Sequence, residues 1–250
     1  MDNKFDLKDI TFLILVRLDS IERLENILVT TQILISNFET SIILWECSPY
    51  NNGILERLLD SKVEYTFQKN RDPVLFRTKF LNRMAKTVHT PYIAVWDADV
   101  IAPSSQIIET VEMLRKGKAD FVFPYEKQFL DISFVIRRLY MQQLNMELLF
   151  RNMDVMKALY SPNPVGGAFF CNLELFFDVG MENEKFYGWG VEDGERCCRW
   201  EKNGYRIKRV KGPLFHLTHP RGVNSTQESQ QGLFIVKKRE YYASGRIKRE

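Results

Sequence analysis

The chain is expected to fold as an α/β protein with a mixed, mostly parallel sheet flanked by helices. Three observations carry that expectation. Short, wholly apolar runs alternate with stretches of helical periodicity through the first half of the sequence. The runs lack the polar alternation of a half-solvated sheet, so they fit strands covered on both faces. A pair of aspartates stands directly beyond one run, where such sheets collect their ligands.

Residues 11–16 (TFLILV) are the first strand. Asp19-Ser20 opens a helical pattern, in which Ile21, Leu24, Ile27, Leu28 and Thr31 recur at helical spacing and Ser20 can cap the first turn. Residues 41–46 (SIILWE) form the second strand. A loop with Pro49, Asn51, Asn52 and Gly53 and a short helix to Leu59 lead to a third strand at 63–67. A helix is expected over 76–88 with Leu81, Met84, Ala85 and Val88 inward, and Pro91 precedes the fourth strand, 92–96 (YIAVW). Helical spacing returns at 107–114 up to Gly117, and a further strand follows at 121–124. The long amphipathic stretch 129–159 reads as helices covering one side of the sheet. Residues 165–171 form an apolar strand entered through Pro164 and Gly166-Gly167, and 205–215 is strand-like. A helix with a basic face (Lys237, Lys238, Arg239, Arg246, Lys248, Arg249) is expected at 234–250.

A chain of 250 residues with 45% apolar side chains can bury a sizeable core, and 1–250 reads as a single domain. The net charge of +3 is too small to argue for nucleic acid, so no nucleic-acid partner is expected. No run approaches the roughly 20 apolar residues that span a bilayer. Met1-Asp2-Asn3-Lys4 leads into a mixed-charge segment rather than a signal peptide. The four cysteines, Cys47, Cys171, Cys197 and Cys198, show no CxxC spacing and read as free thiols. A cytoplasmic protein is expected, with weak contact to the inner face of the membrane open through the basic tail.

Four constellations can carry chemistry. Asp97-Ala98-Asp99 follows the fourth strand, and two carboxylates turned into one crevice suit a hard divalent cation, Mn²⁺ or Mg²⁺. A lone DxD is also an ordinary solvated loop, and its place after YIAVW tips the balance. Phe186-Tyr187-Gly188-Trp189-Gly190-Val191-Glu192-Asp193 sets two acids at a helix start behind a Gly-Trp-Gly turn. It fits an aromatic platform and a general base, against an ordinary capped helix. His216-Leu217-Thr218-His219 holds two of only three histidines, and one imidazole beside the aspartates would favour Mn²⁺. His89 reads as structural. Finally, Arg17, Asp19 and Arg23 follow the first strand, while Arg71, Asp72, Arg77, Lys79 and Asn82 precede the fourth. Most of these read as solvated surface groups; Arg17, Asp19 and Arg77 are the candidates for holding a nucleoside diphosphate. The spacings GxGxxG and Walker A are absent, against a dinucleotide enzyme or an ATPase.

From Thr11 to about Gly222 these pieces appear in an order that resembles GT-A-fold glycosyltransferases, similar to the family-2 type and to the carboxyl-terminal galactosyltransferase domain. The GWGxED segment is the most specific of them. The resemblance implies a nucleotide-diphospho-sugar transferase fold, with residues 11–125 as the nucleotide-sugar-binding half, 126–222 as the acceptor-binding and catalytic half, and a helical tail at 223–250. It also implies an inverting, metal-dependent transfer of a hexose or N-acetylhexosamine from a UDP-sugar to a hydroxyl of a glycan or glycolipid acceptor. Asp99 would be the main ligand of Mn²⁺, and Asp97 would contact the donor's ribose or the metal. His216 would complete the site, with His219 as the substitute. Asp193 would be the general base. Glu192 would bind the acceptor or orient Asp193, Trp189 and Gly190 would line the sugar site, and Arg17 and Asp19 would hold the uridine. Here Gly194 interrupts the acidic run that galactosyltransferases often carry after GWG. A non-catalytic nucleotide-sugar-binding protein and a sugar nucleotidyltransferase are the rival readings. The second would want glycines in the segment after strand one, and 17–23 has none.

Overall fold

The computed structural model describes residues 4–188, 190–222 and 224. The first half runs β1 (Phe5–Val16), α1 (Ile21–Asn37), β2 (Phe38–Ser48), α2 (Ile54–Leu58), β3 (Val63–Lys69), α3 (Arg77–Ala85), β4 (Tyr92–Asp97), β5 (Val100–Ile101), α4 (Ser104–Arg115) and β6 (Phe121–Phe123). The second half runs β7 (Phe129–Ile132), α5 (Phe134–Gln143), α6 (Met146–Arg151), a 3₁₀ turn at Met153–Val155, β8 (Lys157–Ala158), β9 (Ala168–Asn172), α7 (Leu173–Asp178), α8 (Glu192–Lys202), β10 (Ile207–Arg209) and β11 (Leu214–Leu217).

Seven strands form the main sheet in the order β10-β6-β9-β4-β1-β2-β3. β1 pairs in parallel with both β2 and β4, β2 with β3, and β10 with β6. β9 lies antiparallel between β4 and β6, so the sheet is mixed and mostly parallel as expected. Its centre is buried on both faces, which is why the second half of β1 (11–16) and β4 read as apolar runs; β1 itself starts earlier than the sequence indicates, with the charged residues Asp6, Lys8 and Asp9 in its first half. Phe12, Trp96 and Phe170 meet edge to face across the three central strands, with ring centroids 5.6–6.0 Å apart.

Ser20 caps α1 as the sequence indicates, its hydroxyl accepting from the Arg23 amide at 3.2 Å. Two expectations need correction. The stretch 129–159 is not all helix: it opens with β7 and closes with β8, both in a second sheet of order β5-β11-β7-β8. Four- and two-residue strands are too short to interrupt a helical pattern visibly. The 205–215 segment is also two strands, not one. Gly212, at φ 130°, and Pro213 break it, sending β10 to the main sheet and β11 to the second. His89, expected to be structural, is exposed between α3 and β4. The four cysteines are free thiols. Among the described residues no helix is long and apolar enough to cross a membrane. The expected helix at 234–250 and its basic face lie outside the described residues, as does Trp189.

Candidate active site

β4 ends at Asp97, and the chain turns through Ala98 and Asp99 into β5. The turn is held on both sides: Trp96 Nε1 donates to the Val100 carbonyl at 3.1 Å, and the Leu217 amide donates to the Asp99 carbonyl at 2.8 Å. β5 pairs antiparallel with β11 so that Val100 lies opposite His216, which brings Asp99 to the histidine segment. The buried side of α1 adds two polar clamps. Thr30 donates to the Ala98 carbonyl at 3.2 Å and Asn26 to the Leu217 carbonyl at 2.7 Å.

Asp99 Oδ2 lies 3.2 Å from His219 Nε2 and 3.8 Å from His216 Nε2. The three side chains are buried, and their ligand atoms all fall within 4.8 Å of one another. The tautomers follow from the partners on the other ring nitrogens. His216 Nδ1 is 2.7 Å from Asp131 Oδ1, and His219 Nδ1 is 2.8 Å from the Pro220 carbonyl. Neither a carboxylate nor a carbonyl can donate, so each Nδ1 carries a hydrogen and each Nε2 is turned toward Asp99, where it can donate to the carboxylate or, without its proton, ligate a cation. A carboxylate behind a ligating imidazole is the usual outer partner of a metal site. Burial alone would raise the Asp99 pKa, but His216, His219 and Arg23 outweigh it and hold the carboxyl below its ordinary range. One carboxylate with two oriented imidazoles fits Mn²⁺ and disfavours Mg²⁺, which prefers all-oxygen shells. Both histidines therefore converge, where the sequence left one as substitute for the other. Asp97 stands apart from this group, its Oδ1 2.6 Å from Arg77 Nη2.

The second acidic element is the start of α8. Gly188, Gly190 and Val191 have positive φ values of 90°, 107° and 71°. The glycines take such conformations without a Cβ penalty, whereas Val191 is held there against its preference. The turn delivers Glu192 and Asp193 into the first helical turn. Asp193 Oδ1 accepts from Arg196 Nη2 at 2.7 Å and lies 3.9 Å from Arg77 Nη1. One guanidinium, that of Arg77, thus stands between Asp97 and Asp193. Its burial would lower its pKa, but the two acids keep it above its ordinary value. Gly166, whose carbonyl accepts from the Tyr125 hydroxyl at 2.6 Å, runs beside Asp193; a Cβ there would lie 2.8 Å from Asp193 Oδ2.

Glu192 is 4% exposed, and burial, with the neighbouring Asp193, pushes its carboxyl up to about 8. The shift favours the protonated form near neutral pH, in which the carboxyl can donate a hydrogen bond. Its folded pKa lies above the unfolded value of about 4.3. The stability that it contributes is full below that value and is lost as pH rises through about 8. Glu192→Gln is expected to remove this slope. Thermal melts across that window should show the wild type losing ground to the variant as pH rises; parallel curves would contradict a buried, protonated Glu192.

Arg17 is buried, and its guanidinium donates to the carbonyls of Cys47 (2.9 Å), Pro73 (2.6 Å) and Asn70 (3.5 Å). It fastens β1 to the ends of β2 and β3 and so shapes the wall beside them. Asp19 Oδ1 is 2.9 Å from Arg23 Nε. Arg23, read from sequence as a solvated charge, is instead mostly buried and sits 3.4 Å from Asp99 Oδ2. Asn82 is also buried, bonding to the Glu182 backbone on both sides. Asp131, Glu182 and Arg196 were not candidates from sequence. Asp131 becomes findable only once FLDI at 129–132 is read as a strand beside the histidine strand. The candidates Arg17, Asp19, Arg77, Asp97, Asp99, Gly190, Glu192, Asp193, His216 and His219 all line one cleft of about 310 Å³. It sets a carboxylate and two imidazoles that could hold a cation beside an acid, with arginines between and around them, at the carboxyl ends of the central strands.

A family model described as the N-terminal domain of galactosyltransferase matches residues 149–221, the segment that carries Gly166, Asp193, His216 and His219. No curated protein gives a significant sequence match. Among solved structures, the catalytic domain of Drosophila beta1,4galactosyltransferase 7 in complex with xylobiose is similar over 91% of this chain and 77% of that one, at 15% identity and a TM-score of 0.52. A mutant of that enzyme in complex with manganese, UDP-Gal and xylobiose is similar over 90% and 78%, at 14% identity and 0.52. A mannosyltransferase from Pyrobaculum calidifontis in complex with GDP-Man and Mn²⁺ is similar over 86% of this chain, at 13% identity and 0.55. This chain spans 58% of that mannosyltransferase's length. The fold is that of the GT-A glycosyltransferases.

Proposed function

We propose that this protein is a metal-dependent, inverting glycosyltransferase that moves a hexose or N-acetylhexosamine from a UDP-sugar to a hydroxyl of a glycan or glycolipid acceptor. The observation that carries the reading is the convergence of Asp99, His216 and His219 in the same cleft as Asp193. The similar structures bound to manganese with UDP-Gal, and to Mn²⁺ with GDP-Man, support it.

Asp99, His216 and His219 would hold Mn²⁺. When bound, the ion supplies positive charge that stabilises the departing diphosphate. Arg23 and Arg77 add fixed positive charge to the cleft, where charge-assisted bonds to phosphate are strongest. Asp193 is 28% exposed at its side chain and takes the proton of the acceptor hydroxyl. The acceptor oxygen forms its bond to the anomeric carbon as the bond from that carbon to the diphosphate oxygen breaks, and UDP leaves. A single displacement inverts the anomeric configuration and uses no side-chain nucleophile. Neutral Glu192 donates a hydrogen bond to the acceptor or its water.

Gly166 leaves room for the reactive oxygen. Gly166→Ala puts a methyl against Asp193 Oδ2 without demanding a forbidden backbone. Displacement of about 1 Å can cost about 10²-fold in rate. Turnover is expected to fall by about that factor with little change in melting temperature; full turnover would show that the carboxylate does not work at this position.

The reading is tested with a panel of UDP- and GDP-sugars, with Mn²⁺ or EDTA, following nucleotide release and then transfer to sugar acceptors. Release from a UDP-sugar only with Mn²⁺, and a product of inverted anomeric configuration by NMR, are expected. No release from any donor would make the chain a non-catalytic binder, and a retained configuration would overturn the single displacement.

A further inference from the structure

Asp193 is not a free-standing acid. Behind it lies a buried chain of charges that the proposed transfer does not directly use. Arg196, one turn along α8, is 1% exposed. Its Nη2 donates to Asp193 Oδ1 at 2.7 Å and its Nη1 donates to Glu182 Oε1 at 2.7 Å. Glu182, 2% exposed, is in turn held by its backbone: the Asn82 side chain accepts from its amide and donates to its carbonyl, both at 2.9 Å. The guanidinium lies over the Phe169 ring at 4.3 Å and donates to the Val165 carbonyl at 3.3 Å. Both terminal nitrogens of Arg196 are therefore held, by Glu182 (itself fastened to α3 through Asn82), by Asp193 and by the Val165 carbonyl, with Phe169 of β9 beneath the guanidinium plane.

Burying a guanidinium between two carboxylates is costly, and such groups are often replaceable by apolar residues without loss of stability. The planar guanidinium gives one N–H to each carboxylate, and its single charge-assisted bond to Asp193 singles out Oδ1 of the two oxygens. With Oδ1 committed to Arg196, only Oδ2 remains, and it faces the bare Cα of Gly166. We infer that Arg196, anchored by Glu182, is a positioning residue that selects Oδ2 of Asp193 as the atom that receives the acceptor's proton. This rests on the proposed role of Asp193 and deepens it. A glycan hydroxyl, carried on a bulky ring, can reach one oxygen in one orientation. Water is small and mobile and can find a displaced carboxylate. Losing that bond should therefore penalise transfer to a glycan more than hydrolysis of the donor.

The test compares wild type, Asp193→Asn, Arg196→Lys and the double variant Glu182→Gln/Arg196→Gln. The double change removes both buried charges together, which avoids stranding one of them. Transfer and hydrolysis are measured with the UDP-sugar that the panel identifies and Mn²⁺, and affinity is measured with UDP and Mn²⁺. The double variant is expected to lose about 10²-fold in transfer, as for a misplaced group, while hydrolysis and UDP affinity stay near wild type. Lysine keeps the charge but not the planar pair of arms that spans Glu182 and Asp193, so Arg196→Lys should give an intermediate ratio. If transfer and hydrolysis fall together, or neither falls, the inference is overturned while the role of Asp193 stands. A failure of the double variant to fold leaves the ratio in Arg196→Lys to decide, since an unchanged ratio there also overturns it. Unimpaired transfer in Asp193→Asn would instead overturn the base assignment on which the inference rests.

Discussion

Asp193→Asn is expected to lower transfer by about 10²–10⁴-fold, the usual contribution of a general base, while UDP still binds in the presence of Mn²⁺. The asparagine keeps the shape of the side chain. Its carbonyl oxygen can still accept from Arg196 Nη2, so the start of α8 should hold. What disappears is the capacity to take a proton. Asp193 makes no contact with Asp99, His216 or His219 in the ion pairs of the cleft; its partners are Arg196 and Arg77. Nucleotide affinity should therefore be preserved, and the loss should fall on kcat. An asparagine variant that transfers at the wild-type rate removes Asp193 from the chemistry. A variant that loses UDP binding in parallel would make it a donor-site residue.

Asp99→Ala carries the second large effect, at the opposite step. It deletes the only carboxylate of the trio and leaves the two imidazoles and Arg23 without the negative charge that faces them. A cation should then bind more than about 10²-fold more weakly, beyond the roughly 10–100-fold that loss of an outer partner costs. Asp131→Asn supplies that milder case. It weakens the hold on His216 Nδ1 without touching a ligand, and should fall between wild type and Asp99→Ala. The readout is UDP affinity by calorimetry with Mn²⁺ and with EDTA. The wild type should lose affinity in EDTA, and Asp99→Ala should bind equally weakly in both. Equal affinity of wild type and variant in Mn²⁺ would show that Asp99 is no ligand.

Much of the main sheet was legible because its strands are buried on both faces. The run TFLILV and the run YIAVW each sit beside other strands and under helices, so nothing polar interrupts them. The aspartates beyond YIAVW and the acids behind the Gly-Trp-Gly turn could be named for the same reason, since each follows a clear boundary. The second sheet was hidden. β5, β7, β8 and β11 have two to four residues each, too few for a period to declare itself. With that sheet went Asp131, whose place behind His216 depends on a parallel pairing of residues far apart in sequence. Arg23 was misread because a charged residue at the start of an amphipathic helix is normally solvated. Here Asp19 and Asp99 compensate it, and such compensation is a three-dimensional fact. Asn26 and Thr30 lie buried on α1, and their partners explain them: the Leu217 carbonyl and the Arg137 guanidinium for Asn26, the Ala98 carbonyl for Thr30. Glu182 and Arg196 are likewise an ordinary acid and base in the sequence until Asp193 and Asn82 stand beside them.

The most direct test is a crystal structure of the wild-type protein grown with Mn²⁺ and UDP, with the metal located by its anomalous scattering. The ion should lie on Asp99, His216 and His219, with the diphosphate on it and the open side of the cleft leading to Asp193. A manganese peak elsewhere, or a nucleotide seated away from the aspartate of α8, would contradict a single cleft that grips the donor and deprotonates the acceptor.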